Sequence, residues 1–203
     1  MEKPAPTQDP IHDLIRRRWS PRAFSDRPVE AEELRSLFEA ARWAPSSYGD
    51  EPWRFIVATK ENPEEFDRML QCLVELNIRW ARSAAVLIIS VAHLKFSQTG
   101  GPNRHALHDV GLATENLMLQ AFDLGLYVHP MGGFHVGKTR EVFNIPADYE
   151  PVAAIAVGYP GEPESLPEDL RKIELGPRTR KPLQELVFTG TWGESARIVG
   201  DHD

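Results

Sequence analysis

One stretch limits the fold more than any other. Ala84 to Ala92 is an almost unbroken apolar run rich in β-branched residues. A strand with one wet face alternates apolar and polar side chains, whereas a run without alternation belongs to a strand covered on both faces. Other elements must therefore pack above and below it. The run is far short of the roughly 20 residues that span a bilayer. A second constraint is His105 to Leu124, the longest helical pattern, apolar around most of its circumference and followed by Gly125, a residue suited to a helix C-terminus. It predicts a central helix.

The remaining elements follow from punctuation and period. Asp9-Pro10 predicts a helix start, with Ile11, Leu14, Ile15 and Trp19 at helical spacing and Pro21 as the stop. Val29 to Trp43 predicts a second helix with Leu34, Leu37, Phe38 and Ala41 on one face, ended before Pro45. Trp53 to Thr59 reads as a strand, and Asn62-Pro63 opens a helix carrying Phe66, Met69, Leu70 and Leu73. Short strands at Leu126 to His129 and Val152 to Val157 flank a short helix near Lys138 to Phe143. No internal repeat or domain boundary is visible, and 203 residues suit one large domain. The fold class is α+β (mixed α/β), a central sheet flanked by helices.

Composition narrows the function. Lys and Arg number 23 against 30 Asp and Glu, a net charge of −7 that disfavours a general nucleic-acid binder but permits a local phosphate site. Cys72 is the only cysteine, so no disulfide framework or cysteine metal cluster is expected. Met1 to Pro10 has no apolar signal region, which predicts a cytoplasmic protein without a membrane partner. Residues 1–9 and 191–203 are expected to be flexible. From Gly158 the chain is proline-bearing with little periodicity, and 158–190 is read as an extended arm. Leu183, Leu186, Val187 and Phe188 give that arm apolar anchors, which favours packing against a second subunit.

Four arginines and a serine fall within Arg16-Arg17-Arg18-Trp19-Ser20-Pro21-Arg22, and Arg178, Arg180 and Lys181 form a second cluster. Guanidinium forks match phosphate oxygens bidentately, although cations in a helix's last turn also complement its macrodipole. Two such clusters in an acidic chain favour a bound phosphate. Gly132 to Thr139 satisfies the pattern G-x-x-x-x-G-K-[ST]. The helix after it is short, however, and no strand ends in a magnesium-holding aspartate, so a P-loop phosphotransferase is a remote alternative. His105, His108 and Asp109 lie close together, and His129 and His135 flank Met131, but no third metal ligand can be located, so no metal is expected. Neither Cys72 nor Ser46 and Ser47 have the setting of a nucleophile.

In order along nearly the whole chain, the motifs resemble the FMN-dependent nitroreductase family. Arg18-Trp19-Ser20-Pro21-Arg22-Ala23-Phe24 matches its basic-Ser-x-Arg/Lys-x-Phe opening, and Ala44 to Trp53 matches Ala-Pro-Ser-x-x-Asn-x-Gln-Pro-Trp with two departures. Asn77 and Trp80 precede the apolar strand, Asp109, Gly111, Ala113, Asn116 and Leu117 lie on the long helix, and Met131-Gly132-Gly133-Phe134 follows. Val157-Gly158-Tyr159-Pro160 and Arg180-Lys181-Pro182-Leu183 close the match. The resemblance implies a single nitroreductase-like domain over 1–203 and a homodimer with shared sites. It implies FMN as cofactor, NADH or NADPH as reductant, and a nitroaromatic, quinone or similar acceptor.

By the same resemblance Arg18, Ser20 and Arg180 hold the phosphate, with Trp19 close by and Arg178 a further candidate. Arg22 lies at the flavin N1–C2 carbonyl edge, and Asn77, Met131, Gly132 and Gly133 border the ring. Pro45, Ser46 and Ser47 come from the partner chain, and Tyr48, Gly49 and Glu51 lie near the substrate. Gly49 and Glu51 stand where the family usually has Asn and Gln, and a carboxylate there would oppose negative charge nearby. The flavin carries the chemistry, so no catalytic side chain is assigned. A flavin-binding module without turnover, or a relative using FMN for a different oxidation, remains an alternative.

Overall fold

The computed structural model describes residues 1–200; the end of the 191–203 segment expected to be flexible lies outside the described residues. Four strands form one antiparallel sheet in the order β1-β2-β4-β3: β1 (Trp53–Thr59), β2 (Val86–His93), β3 (Tyr127–Met131) and β4 (Tyr149–Gly158). β2 is central and buried along nearly its whole length. Its side chains divide between two cores, Val86 and Ile88 entering one and Leu87 and Ile89 the other. A register shift between Ser90 and Val91 marks a bulge against β4.

Helices cover both faces, as the unalternating run requires. On one face lie α2 (Ala31–Arg42) and the central α5 (Ala106–Asp123), which meet through Leu37, Ala41, Val110, Ala113, Leu117 and Ala121. The other face is covered by α3 (Pro63–Leu70), α4 (Glu75–Ala81) and α7 (Glu168–Leu175), through Phe66, Met69, Leu70, Trp80 and Leu170. α3 begins where Asn62-Pro63 predicts, with the Asn62 side chain accepting the Glu65 N–H and proline in the first turn. Gly125 follows α5 at φ +79°, a conformation that favours glycine.

The first helix is shorter than predicted. α1 (Asp13–Arg17) starts at His12, whose Nδ1 accepts the Leu14 N–H, and Trp19 lies beyond it, buried. The preceding residues run back beside the helix instead of extending it: the Ala5 N–H donates to the Arg16 carbonyl at 2.7 Å. α6 (Val136–Phe143) occupies the place of the short predicted helix. α4 and α7 have no counterpart in the predicted elements. After β4 the backbone at 159–161 pairs with residues 23–25, through Ser25 N–H to Tyr159 O (3.0 Å) and Gly161 N–H to Ala23 O (2.9 Å). The start of the tail is thus fastened to the arginine-bearing segment.

Candidate functional site

The segment that follows α1 carries Arg18, Ser20 and Arg22, and it is fixed from three sides. The N–H of Arg18 closes α1 on the Leu14 carbonyl. The Pro21 carbonyl accepts from His129 Nδ1 of β3 at 2.8 Å. Because a carbonyl only accepts, Nδ1 carries the hydrogen, and burial holds the His129 ring neutral, with its pKa lowered from 6.5 to about 4. The third clamp is Glu174 of α7. Arg22 N–H donates to its Oε1 and Oε2 (2.9 and 3.1 Å), Ala23 N–H to Oε1 (3.2 Å), and the Arg22 guanidinium lies 3.7 Å from Oε2.

The tail brings the second basic cluster to the first. Arg178 Nη1 donates to the carbonyls of Lys3 (2.6 Å) and Arg16 (3.1 Å). Burial and the nearby charges of Arg18 and Arg180 push its guanidinium down from the usual arginine range. Arg18, Arg178, Arg180 and Lys181 line a cleft of about 640 Å³ together with Asp9, and Ile11, Ile15, Pro182 and Leu183 supply its apolar part. Arg18 also borders a second, smaller cavity with Ser20, Ser90, Thr114 and Glu115. Its Nη1 reaches Ser20 Oγ at 3.5 Å, and Glu115, half exposed, is 3.9 Å from Nε. Trp19 lies under Lys3, whose Nζ is 4.8 Å from the indole, and packs edge-on against Tyr127.

The loop 45–51 lies on the surface, against the start of α5. Pro45 is exposed, Ser46 and Ser47 are half-buried, and the Ser47 N–H donates to the buried Asp109 carboxylate at 2.9 Å. Tyr48, Gly49 and Glu51 all have left-handed backbone, at φ +56°, +66° and +50°. Glycine removes the steric cost at Gly49; Tyr48 and Glu51 keep it. The Tyr48 ring is 88% exposed and meets Phe96 edge-on. Glu51 is exposed as well, and Arg54 hydrogen-bonds its carbonyl, not its carboxylate.

Asn77 and Gly133 are occupied with each other. Asn77 Nδ2 donates to the Gly133 carbonyl at 2.9 Å, and Asn77 Oδ1 accepts from the Trp80 indole. A Cβ at Gly133 would meet Asn77 Nδ2 at 2.6 Å, so this glycine is needed for a contact inside the chain. Gly132 has nothing within 4 Å of a Cβ position, while Met131 is buried in the core. The P-loop pattern has no matching structure. Lys138 Nζ is bound to the Gln71 carbonyl, and Thr139 is buried with its hydroxyl on the His135 carbonyl. Among the described residues no three His, Cys, Asp or Glu side chains converge on a metal position, and no helix is long and apolar enough to cross a membrane. Glu174 and Lys3 carried no signal in the sequence; His129 was visible there only as a neighbour of Met131.

Fold and site together define an α+β protein with an arginine-bearing cleft between its N-terminal segment and its tail. The profile of the nitroreductase family matches residues 15–159, and the chain belongs to that family. A solved structure described as an oxidoreductase containing FMN is 32% identical, with a TM-score of 0.88 over 94% of this chain and 97% of its own. An FMN-dependent nitroreductase from Clostridium difficile R20291 is 26% identical, with a TM-score of 0.62 over 73% of this chain and 87% of its own. Among curated proteins, one from Methanothermobacter thermautotrophicus, named provisionally an NADH dehydrogenase/NAD(P)H nitroreductase, is 30% identical over 159 residues, 75% of this chain and 78% of its own.

Proposed function

We propose that this chain is a homodimeric, FMN-dependent oxidoreductase that takes reducing equivalents from NADH or NADPH and passes them to a nitroaromatic, quinone or similar small acceptor. The observation that carries the reading is the convergence of Arg18, Arg178 and Arg180 on one cleft. Guanidiniums gathered this closely repel one another, and an anion between them relieves the repulsion. A phosphate ester suits guanidinium forks from Arg18 and Arg180, with the Ser20 hydroxyl next to Arg18 on the adjoining smaller cavity. The residues present therefore fit the phosphate of FMN.

When bound, FMN supplies a hydride acceptor and donor at N5. The protein's part is binding, orientation and electrostatics. Arg18, Ser20 and Arg180 hold the phosphate, Arg178 holds the N-terminal segment against them, and Trp19 backs the site. Arg22 would present a cation to the N1–C2 carbonyl edge of a bound flavin, where negative charge grows on reduction. Gly132 leaves room for the ring beside Met131. Asn77 acts by holding Gly133 in place, since both ends of its amide are engaged. Pro45, Ser46 and Ser47 would pack near the ring bound by a partner subunit, and Tyr48, Gly49 and Glu51 would border the acceptor.

The test is the absorbance spectrum of the purified protein before and after anaerobic addition of NADH or NADPH. A yellow protein that bleaches supports the reading. One that stays yellow is a binding module without turnover, and a colourless protein that FMN does not reconstitute overturns it.

A further inference from the structure

Glu174 is 1% exposed, the only fully buried carboxylate among the largest core side chains of the described residues. No part of the phosphate cluster uses it. A buried carboxylate is costly unless its oxygens are satisfied, and here the partners are specific. The backbone N–H groups of Arg22 and Ala23 supply three contacts of 2.9–3.2 Å, and the Arg22 guanidinium lies 3.7 Å away. The helix that carries Glu174 is itself tied down at its end. Lys3 Nζ donates to the carbonyls of Glu174 (2.5 Å) and Gly176 (2.6 Å). From the other side His129 holds the Pro21 carbonyl.

We infer that Glu174 is a positioning residue for Arg22. It fixes the backbone from which the guanidinium projects and holds the guanidinium's near side, so that the cation faces the flavin. The inference rests on the FMN reading above and extends it: the tail helix α7 sets the electrostatics of the flavin site without touching the flavin. Glutamine replaces only part of this carboxylate: its amide oxygen can accept at the Oε1 position, but its nitrogen then sets a donor against the Arg22 N–H and guanidinium on the Oε2 side.

Two effects of Glu174→Gln have opposite signs. Deleting a buried negative charge, with nothing else moved, would favour the anionic reduced flavin and raise the midpoint potential. Releasing Arg22 withdraws a cation from the ring and lowers it. The experiment is spectroelectrochemical titration of the FMN-loaded full-length protein, with FMN affinity measured by fluorescence quenching. The expected result for Glu174→Gln is a lowered potential, with reduced flavin losing at least tenfold more affinity than oxidised flavin. In an Arg22→Met background the same substitution should produce no further fall. Glu174→Asp, which keeps the charge on a shorter stem, should give a smaller fall and serves if the glutamine variant does not fold.

An unchanged or raised potential overturns the inference, as does an equal fall in the Arg22→Met background. A role confined to stability would lower the melting temperature and leave the potential of the folded protein in place. Wild-type protein that binds no FMN overturns the FMN reading itself, which separates the two failures.

Discussion

His129 illustrates how a single side chain acquires a property that its residue type does not predict. His129 is held neutral by burial while its Nδ1–H serves the Pro21 carbonyl, so its folded pKa lies near 4 against an ordinary 6.5. The unfolded chain then binds the extra proton first as pH falls, and stability is lost between pH 6.5 and 4. At about 1.4 kcal/mol per pH unit the group removes about 3 kcal/mol across that window. Chemical denaturation at pH 7 and pH 4 should show this loss, and His129→Gln should shrink it; an equal loss in the variant would refute the assignment. Arg18 is read from its cleft. Arg18→Ala should weaken FMN binding by about 1.5–3 kcal/mol, the scale of a hydrogen bond to a charged group, as measured by equilibrium titration. Glu51 is a different case. It is exposed in the single chain and has left-handed backbone.

At the scale of elements, close backbone approaches decide which joints tolerate change. A Cβ at Gly161 would lie 2.6 Å from the Phe24 backbone carbon, and one at Gly133 would lie 2.6 Å from the side-chain Nδ2 of Asn77. Side chains yield more easily than paired backbone. Gly133→Ala should therefore cost about 1–3 kcal/mol, typical of overpacking, and Gly161→Ala more, since it parts the 23–25 segment from the tail. Urea unfolding of both variants checks the order. α2 and α3 were legible because their apolar period matches their burial, and β2 and α5 because they are apolar on nearly every side. α7 was not. Its buried positions are Leu170 and the charged Glu174, while Ile173 and Leu175 are each 54% exposed, the reverse of an amphipathic pattern. Its apolar positions, Leu170, Ile173 and Leu175, fall in a helix of only eight residues within a proline-bearing tail, too short a pattern to stand out from its surroundings.

For the whole molecule, the tail leaves large apolar side chains in water. Trp192 is 90% exposed, Ile198 82% and Leu186 55%, although Leu166, Leu170 and Ala196 of the same tail are buried. Such surface suits a second subunit. The full chain should sediment as a dimer, and Trp192→Ser combined with Ile198→Ser should shift it towards monomer while circular dichroism stays unchanged. A wild-type monomer carrying its full complement of FMN would refute the shared site. Legible in the chain were a strand covered on both faces, an all-round apolar helix, and two basic clusters in an acidic protein. These are local patterns, carried by side-chain period and residue type. That the clusters meet, 160 residues apart, was decided only by the tertiary structure: Arg178 binds the Arg16 carbonyl (3.1 Å) across a separation of 162 residues. Glu174 likewise becomes a core residue only because folding delivers the N–H groups of Arg22 and Ala23 to it. A buried charge is tolerable only with its partners in place, and partners so distant leave no trace in local sequence.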